Sequence, residues 1–342
     1  MGQSVLFLPI SGVNGASSRY RVFQYLPAIA QAGLTYAVHL PPTSPSSGVR
    51  RLLTSFRERQ RIIEMARDSE VIFVQKRLLP ASQIDSLAAR RPVLFDFDDA
   101  IFTSPNGDRS RLAQRRVENR LRQVLTAASL VIAGNRYLCD YASQFAKRVI
   151  HLPTVLDHQR YPAKILSRSN EIIIGWIGHS VNHPYLAGLA EILQKIAKRF
   201  PIRLLVVADR DLVISGVHVE NRRWSETTEI QDILDMDIGI MPMPDDPWSR
   251  GKCGFKAIQY MAAGIPVVCA AVGANNEIVR NGLDGITATT TADWESAISE
   301  LCASAERREW MGMNGRQRVA DTYSLRVASA IFLNCLLELV KP

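Results

Sequence analysis

The sequence predicts an α/β protein of two domains, each a parallel sheet with helices on both faces. Three observations predict it. Short runs rich in Val, Ile and Leu alternate with helix-length segments along the chain. That alternation lapses over 152–170 and restarts at Glu171. The length of 342 residues also exceeds what a single core usually serves.

VLFLPI (5–10) is the first strand, followed by a small-residue loop and a helix over Arg19–Gln31. Leu34–Leu40 is the next strand. PPTSPSSG (41–48) is a loop, because prolines and serines fit neither period. A helix over Arg50–Arg67 leads to the strands VIFVQ (71–75) and PVLFDF (92–97), an arginine-rich helix over Arg109–Leu125, and the strand SLVIAG (129–134). The stretch LPTVLDHQRYPAKILSRSN (152–170) is polar, holds two prolines and reads as the linker. The pattern resumes with EIIIGWIG (171–178), a helix at 184–199, IRLLVVAD (202–209), a short strand before Trp224 and a helix over Thr227–Leu234. DIGIMPM (237–243) and IPVVCA (265–270) follow, and helices fill the remainder. The expected organisation is a first domain at 1–160, a second at 161–323, and a final helix in 324–342 that crosses back to the first.

No apolar run reaches transmembrane length; IFLNCLLELV (331–340) is too short. MGQSVLFLPI lacks a basic leader and reads as a strand. Cys139, Cys253, Cys269, Cys302 and Cys335 are too scattered for a zinc site or a disulfide framework, so a reducing cytoplasm is expected. Residues 1–165 hold 23 Lys+Arg against 12 Asp+Glu, and 166–342 hold 18 against 21. The first half is therefore a cationic body. Its arginines, among them Arg57, Arg59, Arg61, Arg109, Arg111, Arg115, Arg116, Arg120 and Arg122, suit an anionic membrane surface or a lipid diphosphate, or are two solvated faces. No nucleic acid is expected, since no recognition module or aromatic platform accompanies them.

Loops at predicted strand ends carry the candidate site. Asp245–Glu277 joins a basic glycine loop to a helix and then to a buried strand. This order sets backbone N–H groups and cations at the C-terminal edge of a parallel sheet, where a phosphorylated ligand sits. Lys252 and Lys256, four apart, converge on a diphosphate in this reading. Gly254 allows close approach, and Gln259, about two turns beyond Lys252, bonds a ribose hydroxyl. Met261 and Cys269 are core. Gly178, His179 and Ser180 follow another strand and offer donors to phosphate or sugar. Arg222, Arg223 and Trp224 border a base or pack on the surface. Ser11–Ser18, with Gly15 in its middle, is not a dinucleotide fingerprint but admits a substrate to a helix start, where Arg19 and Arg21 can reach an acceptor phosphate. In DFDD, Asp98 or Asp99 orients or deprotonates a hydroxyl, caps the next helix, or joins a metal site for which no other ligand is apparent. Asp98 is slightly preferred.

GKCGFKAIQYMAAGIPVVCAAVGANNEIVRNGLDG resembles the donor-binding signature of retaining glycosyltransferases of family 4, and WMGMNGRQRVADTYS (310–324) resembles that family's helical tail. The resemblance covers most of the second domain. It implies the GT-B fold, two Rossmann-like domains facing each other, and a nucleotide-diphosphate-sugar donor. Transfer would go to a glycan, lipid-linked or small-molecule acceptor with retention, with no cofactor or essential metal. The family carries two glutamates in this signature. Gln259 aligns with the second and Gly251 with the first, whose contact would fall to Asp245 or Asp246. His179 aligns with a family arginine, and the companion lysine falls near Pro184. The rival readings are a noncatalytic nucleotide-sugar-binding or scaffold protein and a GT-B epimerase or hydrolase. Peripheral attachment to the inner face of the cell membrane, in a polysaccharide pathway, is the expected setting.

Overall fold

The computed structural model describes residues 4–42, 49–104, 109–164 and 171–340, with 49–55 described by backbone alone. Most of the loop expected at 41–48, and 165–170 of the expected linker, lie outside the described residues. Two six-stranded parallel sheets form the frame. The first holds β1 (Ser4–Leu8), β2 (Thr35–Val38), β3 (Val71–Gln75), β4 (Val93–Phe97), β5 (Leu130–Ala133) and β6 (Val149–His151), in the order β2-β1-β3-β4-β5-β6. The second holds β7 (Ile172–Ile177), β8 (Ile202–Ala208), β9 (Val219–Arg223), β10 (Ile238–Met241), β11 (Val267–Ala270) and β12 (Ile286–Ala288), in the order β12-β11-β10-β7-β8-β9. In each sheet the winding reverses once, between β1 and β3 and between β7 and β10. Loops leaving the C-terminal ends of those strands diverge to opposite faces and leave a crevice.

The chain divides into two compact units. The first is Met1–Thr154 with Gly251–Cys253 and Leu325–Pro342; the second is Val155–Arg250 with Gly254–Ser324. Alternation along the strands of the first unit sorts its two faces. Leu6, Leu8, Val74, Phe95 and Phe97 pack with Ile62, Ile84, Leu121 and Leu138, so the helices Val49–Arg67, Ala81–Ala88, Arg111–Ala127 and Arg136–Ala142 share one face. Right-handed crossovers toward β6 require that side. On the opposite face Phe7 and Phe73 are 5.1 Å apart, Phe73 lies 5.3 Å from Phe332, and Phe332 stacks on Tyr25 at 4.4 Å. The last helix, Leu325–Val340, thus covers the first sheet, as expected for a crossover. In the second unit Ile174 and Trp176 of β7 pack with Leu193 and Ile196 of Ala190–Ala197 and with Ile298 of Thr291–Ala303.

Several elements differ from expectation. The helix foreseen over Arg19–Gln31 is three pieces: Ala16–Arg21, a 3-10 turn at Phe23–Tyr25, and Leu26–Gln31. Pro27 has no N–H for the carbonyl of Phe23, so one continuous helix cannot pass through it. The helix foreseen at 184–199 is His183–Ala187 followed by Ala190–Ala197, with Gly188 between. β6 and β12, three residues each, are too short to show a period of two and were not foreseen. Among the described residues no helix is long and apolar enough to cross a membrane.

Candidate active site

At the C-terminal edge of the first sheet, β4 presents three aspartates that alternation sends to different tasks. Asp96 points away from the four-helix face into a buried pairing with Arg21. The Arg21 Nη1 also donates to the Leu152 carbonyl at 2.7 Å. Burial alone would lower the Arg21 pKa, but Asp96 beside it raises it further, so the guanidinium is charged. The expected role of Arg21 at an acceptor phosphate is therefore corrected: its side chain is 1% exposed. Arg19 is buried as well, with its guanidinium 4.8 Å from the Tyr20 ring centroid. The short helix Ala16–Arg21 lies against the sheet and turns both arginines inward.

The loop containing Gly15 bonds largely to itself and its neighbours. The N–H groups of Ile10 and Ser11 donate to Gln75 Oε1 (3.0 Å) and Ser18 Oγ (3.1 Å), and Gly15 N donates to Gly12 O (3.0 Å). Gln75 Nε2 donates to Ser17 Oγ at 2.8 Å, and Ser17 Oγ donates to Asp98 at 2.8 Å. Gln75 closes β3 at the β1/β3 reversal, so this polar chain runs from the crevice to the DFDD carboxylates.

Lys76 is the next residue, and the sequence reading missed it. It has φ +55°, the sole non-glycine with positive φ among the described residues. Its ammonium lies 3.0 Å from Asp98 Oδ1 and also contacts Asp99. Burial alone would raise the Asp98 pKa, but Lys76, Arg21 and the hydrogen bonds from Lys76 and Ser17 hold it below the ordinary value. Asp98 is thus an ionised, fully engaged carboxylate. The side chain of Asp99 is 23% exposed, against 11% for Asp98. This reverses the preference for Asp98 as the group nearer a substrate.

Gly251–Cys253 completes this cluster. Asn135 Nδ2 donates to the Lys252 carbonyl at 2.9 Å, Cys253 Sγ donates to the Asp98 carbonyl at 3.1 Å, and Lys252 Nζ is 3.3 Å from Asp99 Oδ1. A Cβ on Gly251 would stand 2.3 Å from the Ala100 Cβ and 2.7 Å from its nitrogen. No side chain fits there, so the position aligned with the family's first glutamate cannot host a carboxylate.

In the second unit the β7/β10 reversal gathers the remaining candidates. β7 ends at Ile177 and runs into Gly178. A Cβ on Gly178 would meet Lys256 Nζ and the Trp176 ring, each at 2.7 Å. Lys256 Nζ sits 4.9 Å from the Trp176 ring centroid, and Lys256 lies in the first turn of the helix Phe255–Ala262. Gly254, at φ +61°, is the N-cap of that helix. Lys252 therefore precedes the helix, and Gly254 breaks the helical period between it and Lys256. The same break removes the two-turn spacing from Lys252 to Gln259.

His179 is 69% exposed, accepts from Val181 N at 3.3 Å, and has Nε2 3.6 Å from Asp209 Oδ2. Ser180, expected as a ligand donor, gives both its N–H (2.6 Å) and its hydroxyl (2.9 Å) to Asp209. These N–H and hydroxyl bonds from Ser180 draw the Asp209 pKa down to about 2. The Arg222 guanidinium, expected to border a base or pack on the surface, binds Glu220 (2.6 Å), Asp232 (3.0 Å) and Asp235 (2.5 Å). Asp245 chelates Arg250 at 2.6 Å, and Asp246 accepts from Ser249 N at 2.7 Å.

Trp224, partly exposed, donates Nε1–H to Glu229 Oε2 at 2.7 Å. Gln259, 3% exposed, donates to Glu229 Oε1 at 3.0 Å and stands 3.3 Å from the Tyr161 hydroxyl. One buried carboxylate thus ties Trp224 to Gln259. Glu229 and Tyr161 went unnoticed because their approach is tertiary; the Asp209 strand end was visible in sequence. Among the described residues no three His, Cys, Asp or Glu side chains form a metal-binding group.

Residues 171–304 match the family described as glycosyl transferases group 1. No protein of curated function matches the sequence. Similar solved structures include sucrose-phosphate synthase of Thermosynechococcus elongatus, at 16% identity over 98% of this chain and 99% of that one, with a TM-score of 0.77. A glycosyltransferase of Rickettsia africae is 14% identical over 99% of each chain, TM-score 0.77. Anabaena HepE, solved with UDP and glucose, is 18% identical over 98% of this chain and 100% of that one, TM-score 0.68. The chain therefore has the GT-B fold, and residues 171–304, within its second unit, are similar to the group 1 glycosyl transferases.

Proposed function

We propose that this protein is a glycosyltransferase that takes its sugar from a nucleotide-diphosphate sugar and transfers it with retention. The observation that carries this is the Lys256 ammonium beside Gly178, at the strand-order reversal of the second sheet and the start of the helix that Gly254 initiates. A diphosphate there meets a fixed cation, backbone N–H groups of the helix start and a bare backbone at Gly178. The group 1 match spans these residues. Trp224 and Gln259, joined through Glu229, are the proposed groups for base and ribose.

In the proposed chemistry the acceptor hydroxyl attacks the anomeric carbon from the face the leaving group departs. The C–O bond to the diphosphate breaks as the new glycosidic bond forms, and the leaving diphosphate takes the acceptor proton. Lys256 and the helix-start N–H groups stabilise the charge that grows on the diphosphate. Lys252, beside Asp99, is assigned to the acceptor side with it. Lys76 and Ser17 keep Asp98 ionised, and Asp99, flanked by two ammonium groups, orients the acceptor hydroxyl. No cofactor enters this scheme.

A noncatalytic nucleotide-sugar binder is the second reading, favoured by the crowding that bars any side chain at Gly251. Incubation with a panel of nucleotide-diphosphate sugars and glycan or lipid-linked acceptors, read by mass spectrometry, separates them. A product one glycosyl unit heavier, with the donor's anomeric configuration, supports transfer. Donor binding with no product across the panel supports the binder.

A further inference from the structure

The four-helix face of the first sheet carries a feature that the donor site does not use. The exposed positions of Arg111–Ala127 include Arg111, Arg115, Arg116 and Arg120, and Leu112 among them is 69% exposed. Arg115 and Arg116 lie three and four residues beyond Leu112, so two guanidinium groups collar the leucine. In Val49–Arg67, Phe56 is 61% exposed, with Arg57 and Arg61 exposed beside it. Arg59 is turned toward the Ser82 carbonyl at 3.5 Å and stands outside the patch. Both helices share a face of the sheet, each touching Ala81–Ala88 between them. At helix spacings of 8–10 Å they are about 20 Å apart.

We propose that this face docks on a bilayer bearing anionic phospholipids, with Phe56 and Leu112 entering the headgroup layer inside a ring of arginines. Its width favours an extended anionic plane over a single small anion. Leu112 favours lipid over nucleic acid, because a leucine offers no stacking platform, and Phe56 suits the headgroup layer beside it. The docked face lies next to the DFDD edge. Arg109, just before the helix, donates to the carbonyls of Ile101 (3.0 Å) and Thr103 (2.9 Å), which pins the loop that follows Asp99 to the arginine-rich helix start. Docking would hold Asp99 near the membrane plane, where a lipid-linked acceptor presents its headgroup; that consequence rests on the proposed function, whereas the docking does not.

The test is vesicle co-sedimentation of the whole protein, using phosphatidylcholine alone and an equimolar mixture with phosphatidylglycerol, at low and high salt. Two variants accompany the wild type: Phe56→Ser with Leu112→Ser, and Arg111→Gln with Arg115→Gln and Arg116→Gln. The wild type should prefer the anionic vesicles, and salt should weaken that binding. Each arginine lost should weaken binding about fivefold. The serine variant should also bind less, although its charge is unchanged. Thermal unfolding and nucleoside diphosphate binding should match wild type in both, which keeps this claim separate from the donor site. Equal wild-type binding to the two vesicle types, an unaltered serine variant, or tighter binding of single-stranded RNA than of anionic vesicles would overturn the proposal.

Discussion

The Lys76 ammonium lies 3.0 Å from Asp98 Oδ1, and the backbone of Lys76 is left-handed. A lysine gains nothing from that conformation, which costs a non-glycine residue about 1–2 kcal/mol. The ion pairs to Asp98 and Asp99 hold it there. Breaking a buried pair by removing one partner costs about 3–5 kcal/mol, so Lys76→Met should destabilise the protein markedly. Lys76→Gly should be less harmful by about 1 kcal/mol, because it relieves the backbone while losing the same ammonium. Denaturant unfolding of both variants checks the order, and a glycine variant no more stable than the methionine one would contradict it.

The same pairing has a pH signature. The folded pKa of Asp98 is depressed, so its contribution is present above the unfolded carboxylate value and lost as pH falls through the folded one. The folded pKa of Lys76 is raised, so its contribution is complete below the ordinary lysine value and lost only in strong alkali. The wild type should therefore lose this stabilisation below about pH 4 and hold it through neutrality. In Lys76→Met the acid-side loss should be smaller, because burial then acts on Asp98 with less opposition and brings its folded pKa closer to the unfolded one. Stability measured against pH for the two proteins reads this directly.

Arg21 and Asp96 form a second buried pair, which should matter for folding and not for ligand. Asp96→Asn should cost about 3–5 kcal/mol by stranding the guanidinium. Nucleoside diphosphate affinity of the folded fraction should stay at the wild-type value. A large affinity loss without destabilisation would return Arg21 to the ligand-binding role that its burial argues against.

Gln259 explains its own departure from the glutamate of the family it resembles. Its amide donates to the Glu229 carboxylate at 3.0 Å, and both groups are buried. Gln259→Glu would face two carboxylates across that gap, and one would be pushed to a higher pKa. That variant should be destabilised at neutral pH and recover as pH falls, since a raised carboxylate pKa stabilises only below it. Adding Glu229→Gln should restore neutral stability. A single variant as stable as wild type at neutral pH would contradict the pairing.

The strand-rich half of the fold was plain in the sequence because buried parallel strands leave unbroken apolar runs, as in VIFVQ and EIIIGWI. What escaped was set by direction and by distance along the chain. Alternation along β4 turns Asp96 inward to Arg21, but sequence alone did not say which of the DFDD carboxylates faces which way. Lys76 looked like an ordinary residue after a strand, because a left-handed backbone on a lysine has no sequence cue. The two-turn spacing from Lys252 to Gln259 assumed a continuous helix, but Gly254, read as allowing a ligand's approach, is the helix N-cap. Glu229 sits 30 residues from Gln259, and only folding joins them.

Isothermal titration with UDP, GDP and ADP and their nucleosides, on wild type, Lys256→Met and Gly178→Ala, tests the central claim most directly. Charge-assisted bonds to phosphate are worth about 1.5–3 kcal/mol. At least one diphosphate should therefore bind the wild type and lose about tenfold to a hundredfold in Lys256→Met, with the nucleoside unaffected. Gly178→Ala should weaken the diphosphate in the same way, because its methyl would displace the ammonium. Diphosphate affinities equal to wild type in both folded variants, or binding of none of the three diphosphates, would contradict the account.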